Sequence, residues 1–206
     1  SHAEEVSRRQ PTTIVAAAED LALAEEIQVL FINQYFRVYT HPDVVGVEIG
    51  GALKNVIALG AGMSDGMGLG DNAKAALITR GLAEMARLGI QLGANPLTFL
   101  GLTGVGDLVV TCTSRHSRNW QAGYLFGQGL DLPTVLARMK MVVEGIPTIK
   151  AAFRLSQREQ IEMPIISALY QVVYAGQHPH RALETLMERA RTQEMADLSL
   201  SYRQRL

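Results

Sequence analysis

Lys54 stands in GGALKNVIALGAG (50–62), a lone cation among glycines and aliphatic side chains. An ammonium group there can hold a proton, attract a carbonyl oxygen and donate to it. A lysine kept from water releases its proton more readily. The competing reading is a side chain that reaches out to solvent from a helix packed on one side. Asp107 lies in GLTGVGDLVVTCTSRHSRNW (101–120), directly after Gly101, Gly104 and Gly106, which let the chain turn tightly. It could cap a helix. It could equally face a site, where it would accept from a hydroxyl or orient a lysine. Thr111 is four residues on and shares its helical face. Ser117, Arg118 and Asn119 then open a helix. Ser117 is a natural cap, the free N–H groups favour an anion, the Arg118 fork suits phosphate, and Asn119 adds neutral donors. A capped surface helix with a solvated arginine is the plainer alternative.

These groups need rigid elements to bring them together. Residues 43 to about 65 read as one helix. At 100° per residue, Val45, Ala52, Val56, Leu59 and Met63 fall opposite Lys54 and form a core stripe. Gly50, Gly51, Ala58 and Ala61 share the lysine's face, and all are small. Glycine inside a helix costs about 1 kcal/mol against alanine, so a cleared face implies close approach by a helix or a ligand. Further helices are expected over 72–93, 96–100, 106–113, 117–128, 131–140, 146–160, 164–175 and 179–195. Upstream, a short helix over 1–10 stops at Pro11. Strand-like runs at 12–18 and 35–40 flank a helical pattern at 19–33, which reads as the end of an α/β unit. HPD (41–43) marks the boundary. The expected fold is therefore mainly α: residues 1–41 as an α/β remnant, then residues 42–206 as an all-helical domain.

Composition narrows the function classes. The 206 residues carry 19 basic and 20 acidic side chains, a net charge of −1, so no basic field exists for a nucleic acid or an anionic membrane. No uninterrupted apolar run reaches the roughly 18 residues of a membrane span, and SHAEEVSRRQ lacks the pattern of a signal peptide. A single cysteine, Cys112, excludes an internal disulfide framework and suits a reducing compartment, so a cytoplasmic location is expected. The five histidines (His2, His41, His116, His178, His180) lack ligand spacing with that cysteine, so no metal is expected. GAGMSDGMGLGD (60–71) fails as a phosphate loop: Asp65 stands where a third glycine belongs, and no strand precedes it. It reads as a helix connection, with Asp71 as a cap. The chain has no initiator methionine, and a fragment of something longer is expected.

Taken in order, the segments VEIGGALKNVIALGAGMSDGMGLGDNAKAALITRGLAEMARLG (47–89), GLTGVGDLVVTCTSRHSRN (101–119), VVEGIPTIKAA (142–152) and EMPI (162–165) resemble bacterial NAD(P)-dependent glycerol-3-phosphate dehydrogenase. The resemblance covers essentially the whole chain. It implies a helical substrate domain like the C-terminal domain of 6-phosphogluconate dehydrogenase, preceded by the end of a Rossmann domain. It implies reduction of dihydroxyacetone phosphate to sn-glycerol 3-phosphate with NAD(P)H, feeding glycerophospholipid synthesis. Lys54 would then be the catalytic acid/base, with Asp107 and Thr111 beside it and Asn55 adjoining it. Ser117, Arg118 and Asn119 would hold the phosphate and glycerol portion, and Arg118 would also touch cofactor. Val142 and Glu144 would lie near the cofactor, and Ser1 and Ala3 at the domain edge would contact substrate and cofactor. Trp120 departs from the basic residue common after S-R-N. The family's dinucleotide-binding fingerprint and a second substrate-site lysine would lie upstream of Ser1, so these residues alone should bind NAD(P) poorly and turn over little. A homodimer is expected. The alternatives are the C-terminal domain of a related hydroxyacid dehydrogenase, or a non-catalytic helical dimerisation module.

Overall fold

Asp43 starts the helix on which the protein is built. In the computed structural model, which describes residues 3–189, its carboxylate accepts from Gly46 N at 2.8 Å, capping helix α3 (Val44–Gly66). The same carboxylate accepts from Asn95 N at 2.8 Å and Thr98 Oγ1 at 2.6 Å, so one side chain ties the helix start to the turn at Pro96–Leu100. Before it, β1 (Thr12–Ala17) and β2 (Phe36–His41) pair in parallel from Thr12↔Phe36 to Ala17↔His41, joined by α2 (Leu21–Phe31). Helix α1 (Ala3–Ser7) precedes them. Parallel strands are normally covered on both faces. Here Val29 and Leu30, each 74% exposed, and Phe31 leave α2 with an open apolar flank.

After α3 come α4 (Asp71–Gln91), α5 (Asp107–Thr113), α6 (Arg118–Gly127), α7 (Leu132–Arg138), α8 (Gly145–Arg158), α9 (Pro164–Ala175) and α10 (Pro179–Met187). The described chain is mainly α, as its patterning predicts. Helix α3 is the hub, wrapped by α4, α5, α6 and α8. Its length and mean hydropathy of 1.5 match those of a membrane-crossing helix, and 56% of that window is buried inside the protein.

The one-sided stripe expected for α3 is corrected by the structure. Val45 is 41% exposed and Ala52 is also exposed, while every residue from Asn55 to Ser64 is buried. Ala58 and Ala61, expected to clear space beside Lys54, are fully buried in the core. Small residues there serve packing against α6. A Cβ on Gly62 or Gly66 would collide with the carbonyl oxygen of Trp120 or Tyr124, and one on Gly123 or Gly127 with that of Leu59 or Met63. Four glycines thus seat two backbones against each other. Gly123→Ala is expected to lower stability by about 1–3 kcal/mol, because a rigid backbone cannot yield to a new methyl. Thermal unfolding checks it; an unchanged midpoint would show that the seam is not tight.

Candidate active site

Asp107 reaches Lys54 because of the turn that precedes it. Leu102–Gly106 forms a π-helical turn, and Gly104 lies so close to the Phe99 carbonyl that any side chain would collide. Such turns recur at functional sites, where they re-aim the next residue. Here the next residue is Asp107, the first of α5. It does not serve as the cap; Gly106 holds that position. Its carboxylate instead pairs with Lys54 Nζ across 53 residues of sequence. The two side chains are 19% and 24% exposed, so the pair is mostly buried yet reachable from solvent. Thr111 Oγ1 donates to Asp107 O at 2.6 Å and lies 3.4 Å from Asp107 Oδ1, buried below the pair. Of the two glycines that precede Lys54, Gly50 is pressed against Thr103 O, whereas Gly51 has nothing within 4 Å of where a Cβ would stand. The cleared space beside the lysine is therefore at Gly51 alone.

Ser117 caps α6, its Oγ accepting from Trp120 N at 3.3 Å. Trp120 Nε1 in turn donates to Asp65 Oδ2 at 2.8 Å, and Asp65 pairs with Lys74 at 2.7 Å. Tryptophan at this position thus anchors α6 to the end of α3. Arg118 Nη1 donates to Val142 O at 3.1 Å, which ties the first turn of α6 to the segment before α8. Val142 itself is 71% exposed. Asn119 is buried. Its Oδ1 accepts from Gly145 N at 2.8 Å, and its Nδ2 donates to Asn55 Oδ1 at 2.8 Å. Asn55 Nδ2 lies 3.4 Å from Glu144 Oε2. Lys54, Asp107 and Thr111 therefore form one cluster. Asn55, Asn119, Glu144 and Gly145 form a second, joined to the first through consecutive residues 54 and 55. Arg118 and Val142 flank the second.

Ala3 is exposed in α1, and Ser1 lies outside the described residues. Spacing alone does not mark Gly145; its one signal in the sequence is a glycine straight after Glu144, where α8 begins. Cys112 is buried, which pushes its thiol up to about 12, so it offers no thiolate. Among the described residues no group of three or more histidine, cysteine, aspartate or glutamate side chains could hold a metal ion.

An ammonium held by a carboxylate and reachable from solvent can present a proton to a carbonyl oxygen. A capped helix start with an arginine can receive an anion. Residues 43–184 match the family model described as NAD-dependent glycerol-3-phosphate dehydrogenase C-terminus. The chain is 62% identical over 206 residues to glycerol-3-phosphate dehydrogenase [NAD(P)+] of Bacillus velezensis, covering all of this chain and 60% of that protein. It is 64% identical over 198 residues to the protein of the same name from Bacillus subtilis, covering 96% of this chain and 57% of that one. The fold matches the crystal structure of glycerol-3-phosphate dehydrogenase from Coxiella burnetii with a TM-score of 0.89 at 38% identity, over 92% of this chain and 58% of the other. The chain thus spans about three-fifths of the length of the curated relatives it matches.

Proposed function

Because the chain belongs to the NAD-dependent glycerol-3-phosphate dehydrogenase C-terminal family, we propose that it is the substrate half of an enzyme that reduces dihydroxyacetone phosphate to glycerol 3-phosphate. Residues 1–41 then close a dinucleotide-binding domain, and residues 42–206 form the substrate domain. The observation that carries this reading is the partly exposed Lys54–Asp107 pair, with the uncrowded Gly51 one helical turn before the lysine.

Lys54 points its ammonium at the substrate carbonyl oxygen, stabilises the charge that develops there and delivers the proton. Asp107 orients that ammonium, and Thr111 holds Asp107. The phosphate sits at the start of α6, where Ser117, Arg118 and Asn119 supply N–H groups and a positive charge. The exposed Val142, whose carbonyl accepts from the Arg118 guanidinium, and Glu144 would meet the cofactor. When bound, the reduced cofactor supplies the hydride. Its main cradle belongs to the part of the relatives that this chain does not match. In this reading the enzyme works in the cytoplasm as a homodimer and supplies glycerophospholipid synthesis.

Arg118→Ala tests the anion site. We expect glycerol 3-phosphate, titrated into the chain and followed by NMR, to bind about tenfold to a hundredfold more weakly, the loss that goes with a charge-assisted contact. Thermal stability should change little, since Arg118 makes one exposed bond. Unchanged affinity would remove the phosphate from α6.

A further inference from the structure

We infer that Asn55, Glu144 and Gly145 are positioning residues that fix which face of the Asn119 amide meets a ligand. This deepens the function proposed above and rests on it. A backbone N–H can only donate, so Gly145 N requires the oxygen of Asn119 at 2.8 Å. That orients Nδ2 of Asn119 toward Asn55, whose own oxygen must then face it, also at 2.8 Å. Asn55 Nδ2 is left facing two acceptors, Glu144 Oε2 at 3.4 Å and Gly51 O at 3.3 Å. Every link runs donor to acceptor in one direction, from Gly145 through Asn119 and Asn55 to Glu144. Both asparagines are buried, at 7% and 8% exposure, so water does not offer an easy substitute.

The relay has a chemical consequence. Gly145 lies against the Asn119 oxygen; a Cβ there would stand 2.8 Å from Oδ1 and 2.7 Å from Asn55 O. With Oδ1 accepting from Gly145 N and one N–H given to Asn55, Asn119 keeps a second N–H that an anion can accept from. The relay thus presets an N–H donor at the first turn of α6, which suits an anion. It also joins the residue after Lys54 to the residue before α8, so the proton-donating helix and the 142–145 segment share one polar connection.

Reversing one link tests the relay. Asn55→Asp keeps an acceptor for Asn119 but turns a carboxylate oxygen toward Glu144 and Gly51 O. Glu144→Gln supplies a donor to that oxygen. With the full chain, we expect Asn55→Asp to lower the unfolding midpoint and weaken glycerol 3-phosphate binding by about tenfold, the effect of one misdirected hydrogen bond. Adding Glu144→Gln should return both toward the values of Glu144→Gln alone. Recovery of neither overturns the relay. Recovery of the midpoint without affinity overturns its positioning role. If the wild-type chain takes up no glycerol 3-phosphate, the proposed function fails, and the same titrations with inorganic phosphate judge the relay. Should Asn55→Asp unfold and the double variant fold, that is the expected rescue. Should neither fold, the wild-type side-chain amide signals decide: one Asn119 proton must shift with the anion while the Gly145 amide proton stays protected, and the opposite pattern overturns the proposal.

Discussion

Lys54→Ala is expected to abolish nearly all dihydroxyacetone phosphate reduction when this chain is joined to the dinucleotide-binding part of a relative. Loss of a positioned general acid costs roughly 10²–10⁴-fold in rate. The geometry makes the lysine difficult to replace. Its ammonium is held by Asp107 from a different helix, and the aspartate is aimed by a π-helical turn that leaves no room for a side chain at Gly104. Water entering the gap left by alanine would not be oriented in that way. Asp107→Asn keeps a hydrogen-bond acceptor but removes the charge, so it should lower the rate less than Lys54→Ala does. The assay is NAD(P)H oxidation with dihydroxyacetone phosphate. Rates for Lys54→Ala within a few-fold of wild type would end the acid/base assignment, and Asp107→Asn falling below Lys54→Ala would end the subordinate role of the aspartate.

Local chemistry in the sequence foretold the helices well. Ser117 sits where a cap belongs, and α6 starts there, but Asp71, expected to cap α4, is its first residue, with Gly70 at the capping position and no side-chain cap bond. Lys54 and Asp107 also stood out, each as an odd residue among glycines. What local chemistry does not hold is which faces are shared. Ala58 and Ala61 follow Lys54 at helical spacing, yet α4, α5, α6 and α8 close around that part of α3 and bury all sides. A wheel assumes one buried face and one wet face, and a hub helix has neither restriction. For Asp107 the sequence leaves two readings open, a helix cap or a group that orients a lysine. Only the π-helical turn, which depends on Phe99, shows that it starts the helix with its side chain turned elsewhere. The Asn55–Asn119 contact spans 64 residues and was invisible to spacing.

Glu84 is the plainest case of a role that spacing hides, and its replacement should have the largest effect on stability. It lies in the middle of α4, 3% exposed, where an acidic residue would otherwise be read as solvated. Its carboxylate accepts from Ile165 N at 2.7 Å and Ile166 N at 3.2 Å, so it caps α9 from another helix. Met163, at the capping position, offers no side-chain acceptor. Burial and the capping bonds act in opposite senses on this carboxyl. Burial wins and pushes it up to about 7, although both N–H groups, Arg87 and Arg189 favour the charged form. The sign of the pH effect follows. Between about pH 4.5 and 7 the unfolded chain has released a proton that the folded chain retains, so stability falls as pH rises through that window and levels above it. The total amounts to about 3 kcal/mol. Glu84→Gln cannot titrate, so its unfolding free energy subtracted from that of wild type should carry this slope. Glu84→Ala leaves two buried N–H groups without an acceptor and opens a cavity, a loss of about 2–4 kcal/mol at pH 5 that shrinks toward pH 8 as wild type alone gives up its proton-linked stability. Denaturant unfolding of the three proteins at pH 5, 6, 7 and 8 separates the effects. A wild-type minus Glu84→Gln difference that stays flat would refute the buried proton, and a stable Glu84→Ala would show that α9 finds its cap elsewhere.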